Sequence, residues 1–204
     1  MKIGPKYKIA KRLGASVFEK TQTQKFAIAE ERAARNKKGR RQNQTEFGKQ
    51  LLEKQKVRMT YGLSEKQFSN YVATATSTHG QPPAQTLHRL LEMRLDNIVY
   101  RLGLAPTRRA ARQMVSHGHI TVNGVKTTIP SRAMRVGEKI AVRDGSKGAV
   151  LFENFAEKFN ERPTLSSWLS WDAKKMEGGM QEVPTEEAAS PAGDLIAVLS
   201  FYSR

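Results

Sequence analysis

The chain has 204 residues, enough for one large domain or two modest ones, and its 38% hydrophobic content favours small cores over one broad core. It carries 35 Lys and Arg against 19 Asp and Glu, a formal net charge of +16 that attracts a polyanion such as nucleic acid. Cysteine is absent, which excludes disulfides and thiolate metal sites. No run of about 18 apolar residues and no signal-peptide core is present, so a soluble intracellular protein is expected.

The charge is uneven. Residues 1–60 hold 17 basic and 5 acidic side chains, whereas residues 163–204 hold 3 and 6. Polyanion binding is therefore expected away from the C-terminal segment. No basic amphipathic stretch with a large apolar face argues for a membrane partner.

In chain order, the basic lead from Lys2 to Arg12 supplies Lys6, Lys8, Lys11 and Arg12 as candidate phosphate contacts. A polar helical stretch runs from Glu19 to Arg35, followed by Lys37, Lys38, Gly39, Arg40 and Arg41. Apolar anchors are few, so this arm is expected to be poorly ordered without a partner. A firmer helix begins at Glu46, carries Phe47, Leu51 and Val57, and ends at Tyr61-Gly62. Ser64 and Gln67 form a capping-box pattern for the next helix, whose apolar face is Phe68, Tyr71, Val72 and Ala75. Lys49, Lys54, Lys56 and Arg58 are candidate RNA-backbone contacts. His79 to Pro83 reads as a connector.

From Leu87 to Leu102 apolar residues recur at helical spacing, with Thr86 as N-cap, Gly103 and Pro106 as the stop, and Arg89, Glu92 and Asp96 on the polar side. A second helix starts at Thr107 and places Arg108, Arg109, Arg112, Gln113 and Ser116 on its outer arc, opposite Ala110, Ala111, Met114 and Val115. Guanidinium suits phosphate because its planar fork donates paired hydrogen bonds and keeps its charge at any relevant pH. His119 to Val125 alternates like a strand and turns at Asn123-Gly124. A second strand is expected at Lys139 to Arg143. His117, His119 and Asn123 complete the candidate RNA surface. The two histidines lack a third clustered ligand, so no metal is expected.

Phe152, Phe155, Ala156 and Phe159 suggest a helix, Trp168 and Trp171 flank a turn and are expected to pack against the first domain, and Leu195 to Tyr202 reads as a buried strand. No phosphate-cradling Gly-x-x-x-x-Gly-Lys motif and no Gly-x-Ser-x-Gly elbow occurs.

The run LLEMRLDNIVYRLGLAPTRRAARQMVSHGHITVNG (90–124) resembles the RNA-binding module of the small-subunit ribosomal protein S4 family, a module also found in some pseudouridine synthases and in tyrosyl-tRNA synthetases. IGPKYKIAKRLGASVF (3–18), EFGKQLLEKQKVRMTYGLSEKQFSNY (46–71) and WDAKKMEGGM (171–180) are similar to other parts of that family. The stretch from Thr21 to Thr45 and the loop after Gln181 match poorly.

The resemblance implies an α+β fold. A mostly helical N-terminal domain (1–86) would be completed by a C-terminal segment (161–204) packing back on it, with the helix-helix-strand module (87–160) inserted between. It implies a structural constituent of the cytoplasmic small subunit that binds rRNA early in assembly, stabilises an rRNA junction and has neighbouring ribosomal proteins as partners. The loop near Gly39 would lie by the mRNA entry, where Arg40 and Arg41 would touch message. Lacking the cysteine cluster of many relatives, the chain resembles the zinc-free branch, and no cofactor is implied. Arg94-Leu95-Asp96 imitates a catalytic motif of pseudouridine synthases. However, Asp96 lies inside the RNA-binding helix pair, so an ion pair or packing contact is expected and no enzyme activity.

Overall fold

The structure is a computed structural model that describes residues 3–13, 17–18, 21–35, 45–152, 165–186, 189 and 191–203. Contacts divide the chain into two compact units, residues 1–84 with 191–204 and residues 85–190.

In the first unit, α1 (Lys6–Leu13) and α2 (Gln24–Arg35) are short and polar. They share a small core in which Ala10, Val17, Phe18 and Phe26 are buried against Ile9, Leu13 and Met59. The Tyr7 and Phe26 rings are 5.8 Å apart, and the buried Thr21 hydroxyl donates to the Phe18 carbonyl at 2.6 Å. Scattered apolar residues that show no run in sequence thus meet in three dimensions and anchor the described part of the arm.

Two longer helices follow, α3 (Glu46–Thr60) and α4 (Glu65–Ser77). The Thr45 hydroxyl accepts from the Gly48 amide and starts α3. At its other end Gly62 takes φ 63°, so that the Gly62 and Leu63 amides reach back to the Met59 and Arg58 carbonyls. The capping box at Ser64 and Gln67 forms as expected. Phe68, Val72 and Ala75 are buried, and Tyr71 is half-buried.

Further along the chain, α5 (Pro83–Glu92), α6 (Leu95–Arg101) and α7 (Arg108–Ser116) lead into a five-stranded antiparallel sheet. Its strands are β1 (Ile120–Val122), β2 (Val125–Lys126), β3 (Lys139–Val142), β4 (Leu169–Asp172) and β5 (Glu177–Met180), in the order β2-β1-β3-β5-β4. Thr121 pairs with Lys126 and with Ala141, and Ile140 pairs with Gly178. Asn123 (φ 50°) and Gly124 (φ 80°) make the β1–β2 turn, as their sequence signals. A short helical turn, α8 (Asp144–Lys147), follows β3. The core of this unit joins Leu95, Ile98, Val99 and Leu102 of α6 to Met114 and Val115 of α7 and to Ile120, Ile140, Trp168 and Met180.

Several expectations are corrected. The periodic run from Leu87 to Leu102 is two helices, because Arg94 adopts extended angles (φ −66°, ψ 136°) between them. There the Leu95 and Asp96 amides donate to the Arg132 and Pro130 carbonyls, and the Met134 amide donates to Met93. A distant loop supplies the partners an unbroken helix would have found within itself, which periodicity cannot reveal. Thr86 therefore lies inside α5 rather than at an N-cap.

Leu195–Tyr202 is a helix, α9, and not a strand. The Asp194 carboxylate accepts from the Ile196 and Ala197 amides at 2.9 and 3.0 Å, the α9 segment packs on α3 and α4, and among the described residues of this unit no strand is available to pair with it. Trp168 and Trp171 belong to the second unit, since β4 and β5 extend the module's sheet and Trp168, 1% exposed, lies in its core. Within 161–204, accordingly, the stretch through Ser190 groups with the module, held in part by Ala189, whose carbonyl lies 2.6 Å from His88 Nε2. The helix expected around Phe155, Ala156 and Phe159 lies outside the described residues, although Phe152 ends a 3₁₀ turn (Val150–Phe152) and is buried.

Candidate nucleic-acid interface

The Thr107 hydroxyl accepts from the Ala110 amide at 3.0 Å and fixes the start of α7, as the sequence predicts. The helix stops at Gly118 (φ 73°), where the Gly118 and His119 amides close onto the Val115 and Met114 carbonyls. Ala111, Met114 and Val115 face the core, which leaves Arg108, Arg109, Arg112, Gln113 and Ser116 on the outside.

The three arginines are held differently. Arg109 is exposed, and its side chain makes no hydrogen bond or ion pair among the described residues. Arg112, with its side chain 30% exposed, donates from Nε to Asp96 Oδ2 at 2.7 Å, and its Nη2 is also 2.7 Å from that oxygen. Arg108 donates from Nε to Asn97 Oδ1 at 2.9 Å, and its Cζ lies 4.4 Å from the centre of the Tyr100 ring.

Beneath these side chains lies a polar layer that helical periodicity had assigned to solvent. Asp96 is 2% exposed and Glu92 0%. Asp96 accepts from Arg94 Nε at 3.1 Å and Nη2 at 2.9 Å as well as from Arg112, so one carboxylate serves two guanidinium groups. Glu92 accepts from Arg101 Nε at 3.0 Å and Nη2 at 2.8 Å. The α5–α6 break brings these acids inward. Removing one partner of such a buried pair strands the other and costs about 3–5 kcal/mol. Asp96 thus makes the ion pair expected of it. The Arg94 and Arg101 side of this layer was missed, and an Arg at each end of an acid-bearing helical run is the signal that could have found it.

Of the remaining candidates in this unit, Ser116 and His117 are exposed at the end of α7. His119 is half-buried, with Nδ1 3.0 Å from Ser146 Oγ and its ring edge-on to Phe152. Asn123 is exposed but its Oδ1 accepts from the Lys139 amide at 2.8 Å, so its first duty is to the turn. Among the described residues no group of three side chains could hold a metal ion.

In the first unit, Lys8, Lys11, Arg12 and Lys49 are exposed, and Lys6 lies 5.6 Å from the centre of the Phe18 ring. Lys56 is 3.4 Å from Glu53. Lys54 and Arg58 turn inward. Lys54 is 8% exposed, bonds Glu65 at 2.7 Å and sits 4.4 Å over the Phe201 ring, while Arg58 Nε is 3.2 Å from Glu65 and its Nη1 donates to the Leu63 carbonyl. Their geometry ties them to α9 and the α3–α4 turn. Tyr202 also donates to Glu65 at 2.7 Å. Partial burial raises the Glu65 carboxyl, but hydrogen bonds from Lys54 and Tyr202 and the Lys54 and Arg58 charges outweigh it and hold the group below its ordinary range. Burial, followed by the Glu65 carboxylate, pushes the Tyr202 phenol up. Arg40 and Arg41 lie outside the described residues.

A basic helix surface braced by a buried ion layer on a small sheet, in a chain whose other unit also exposes lysines and arginines, defines a nucleic-acid-binding protein. The family model of the ribosomal protein S4/S9 N-terminal domain matches residues 1–92, and that of the S4 domain matches residues 93–140. The chain is similar to the small ribosomal subunit protein uS4 of Limosilactobacillus reuteri, 41% identical over 202 residues and 98% of each chain. It is 43% identical to that of Herpetosiphon aurantiacus over 98% of each chain, and 42% identical to that of Roseiflexus castenholzii over 99% of this chain and 98% of the relative. The chain belongs to the small ribosomal subunit protein uS4 family. That is a family of structural ribosomal constituents and not of enzymes.

Proposed function

We propose that this protein binds small-subunit rRNA as a primary assembly protein of the cytoplasmic ribosome and remains there as a clamp on an rRNA junction, in contact with neighbouring ribosomal proteins. The observation that carries the reading is the α7 surface, where Arg108, Arg109 and Arg112 share one face and two of them are held by α6. Structured RNA is recognised largely by shape and phosphate position, so two basic surfaces, α7 in one unit and Lys8, Lys11, Arg12 and Lys49 in the other, suit a folded junction better than a single strand. Contact with message at the mRNA entry, through Arg40 and Arg41, belongs to this proposal as a finer part carried by the family resemblance.

Arg109→Glu is the cleanest probe, because Arg109 braces nothing, whereas a Glu at 112 would face Asp96. Its affinity for a small-subunit rRNA transcript should fall about tenfold with the melting temperature unchanged. In sucrose gradients the wild type should co-migrate with small subunits in stoichiometric amount at moderate and high salt. Unchanged affinity in the variant, or protein found free at every salt concentration, would overturn the reading.

A further inference from the structure

The geometry points to Asn97 and Tyr100 as positioning residues that set the Arg108 guanidinium for phosphate, an inference that rests on the RNA-binding reading above. Asn97 is 2% exposed, too deep to meet a ligand itself. Its Nδ2 donates to the Glu92 carbonyl at 3.0 Å and to Glu92 Oε2 at 2.7 Å, which fixes the amide, since the flipped form would set Oδ1 against a carboxylate. Glu92 is itself held by both bonds from Arg101. With the amide so fixed, Oδ1 faces Arg108 and accepts from its Nε at 2.9 Å.

Tyr100, one turn further along α6, presents its ring 4.4 Å from Arg108 Cζ. The guanidinium is thus bonded along one edge and stacked on one face. Both holders are neutral, so these two contacts fix its plane without adding an opposing charge. Arg112 differs, because Asp96 holds it by charge. An arginine already held in place gives up less rotamer freedom when it meets a phosphate.

A double-mutant cycle on the full chain with a small-subunit rRNA transcript tests this. Asn97→Ala should weaken binding about fivefold and Arg108→Gln about tenfold, and the double variant should bind no more weakly than Arg108→Gln alone. A merely structural asparagine would lower affinity by the same factor in both backgrounds. Tyr100 is half-buried, so its variants keep the test open should Asn97→Ala not fold. Tyr100→Leu should behave as Asn97→Ala does, and Tyr100→Phe, which keeps the ring, should bind as the wild type. The slope of log affinity against log salt should flatten by about 1 in Asn97→Ala as a phosphate contact is lost.

Additive losses in the Arg108→Gln background, or an Arg108→Gln variant of unchanged affinity, would overturn the inference. Arg109→Glu keeps the two claims apart. If it weakens binding while the cycle is additive, only the positioning role fails, and if Arg109→Glu leaves affinity unchanged, the RNA-binding reading fails as well.

Discussion

Residues of identical type do different work in this protein according to what packs beside them. Lys54 and Lys49 lie on the same helix five positions apart, yet Lys49 is exposed and Lys54 is enclosed by Glu65, Phe201 and Tyr202. The Glu65 cluster makes a pH prediction. Its lowered carboxyl pKa means that the stabilisation is complete above the unfolded value of 4.5 and is lost as pH falls through the folded value. Because Glu65 is half-exposed and screened by solvent, Glu65→Gln should cost no more than about 1 kcal/mol at neutral pH. Urea midpoints of the two proteins should differ at pH 7 and converge below pH 4.5. A gap that persists in acid would show that the carboxylate charge is not what holds α9.

At the scale of elements, β4 and β5 depend on a glycine. A Cβ at Gly178 would collide with the Ser170 carbonyl and lie 2.6 Å from a carbon of the Trp171 ring, and the backbone there has no free end to move. Gly178→Ala should therefore destabilise the second unit by about 1–3 kcal/mol, as other over-packed sites do. Gly145, where nothing lies within 4 Å, is the control and should tolerate alanine. Thermal melts of both variants decide it, and equal melting temperatures would remove the steric account. The same hairpin carries the second unit past residue 160. Its strands are short and flanked by polar residues, so nothing in WDAKKMEGGM announces that β5 will pair with β3 rather than pack on the first unit.

Across the whole molecule, charge governs association. With a net charge of +16 and exposed cations in both units, RNA affinity should fall about a thousandfold or more between roughly 50 and 200 mM salt. Binding isotherms over that range check this. A shallow slope would mean that phosphate neutralisation is a minor term and that base contacts dominate. The C-terminal segment, with 3 basic and 6 acidic side chains in residues 163–204, should add little to that attraction. There the chain uses apolar contact, with Leu195 and Val198 of α9 buried in the first unit.

Local chemistry was legible without a structure. The Ser64–Gln67 capping box, the start of α7 at Thr107, the helix end at Gly62, the Asn123-Gly124 turn and the arginine arc of α7 are each set by residues within a few positions of one another, so the sequence by itself determined them. Long-range partners were not legible. The loop carbonyls of Pro130 and Arg132 split one periodic run into α5 and α6, and that break turned Glu92 and Asp96 from a presumed solvent face into a buried layer. Likewise Leu195–Tyr202 is apolar on every side, and such a run has no period to distinguish strand from helix. The Asp194 cap and the waiting surface of α3 and α4 decided for helix, and only tertiary structure brings those together.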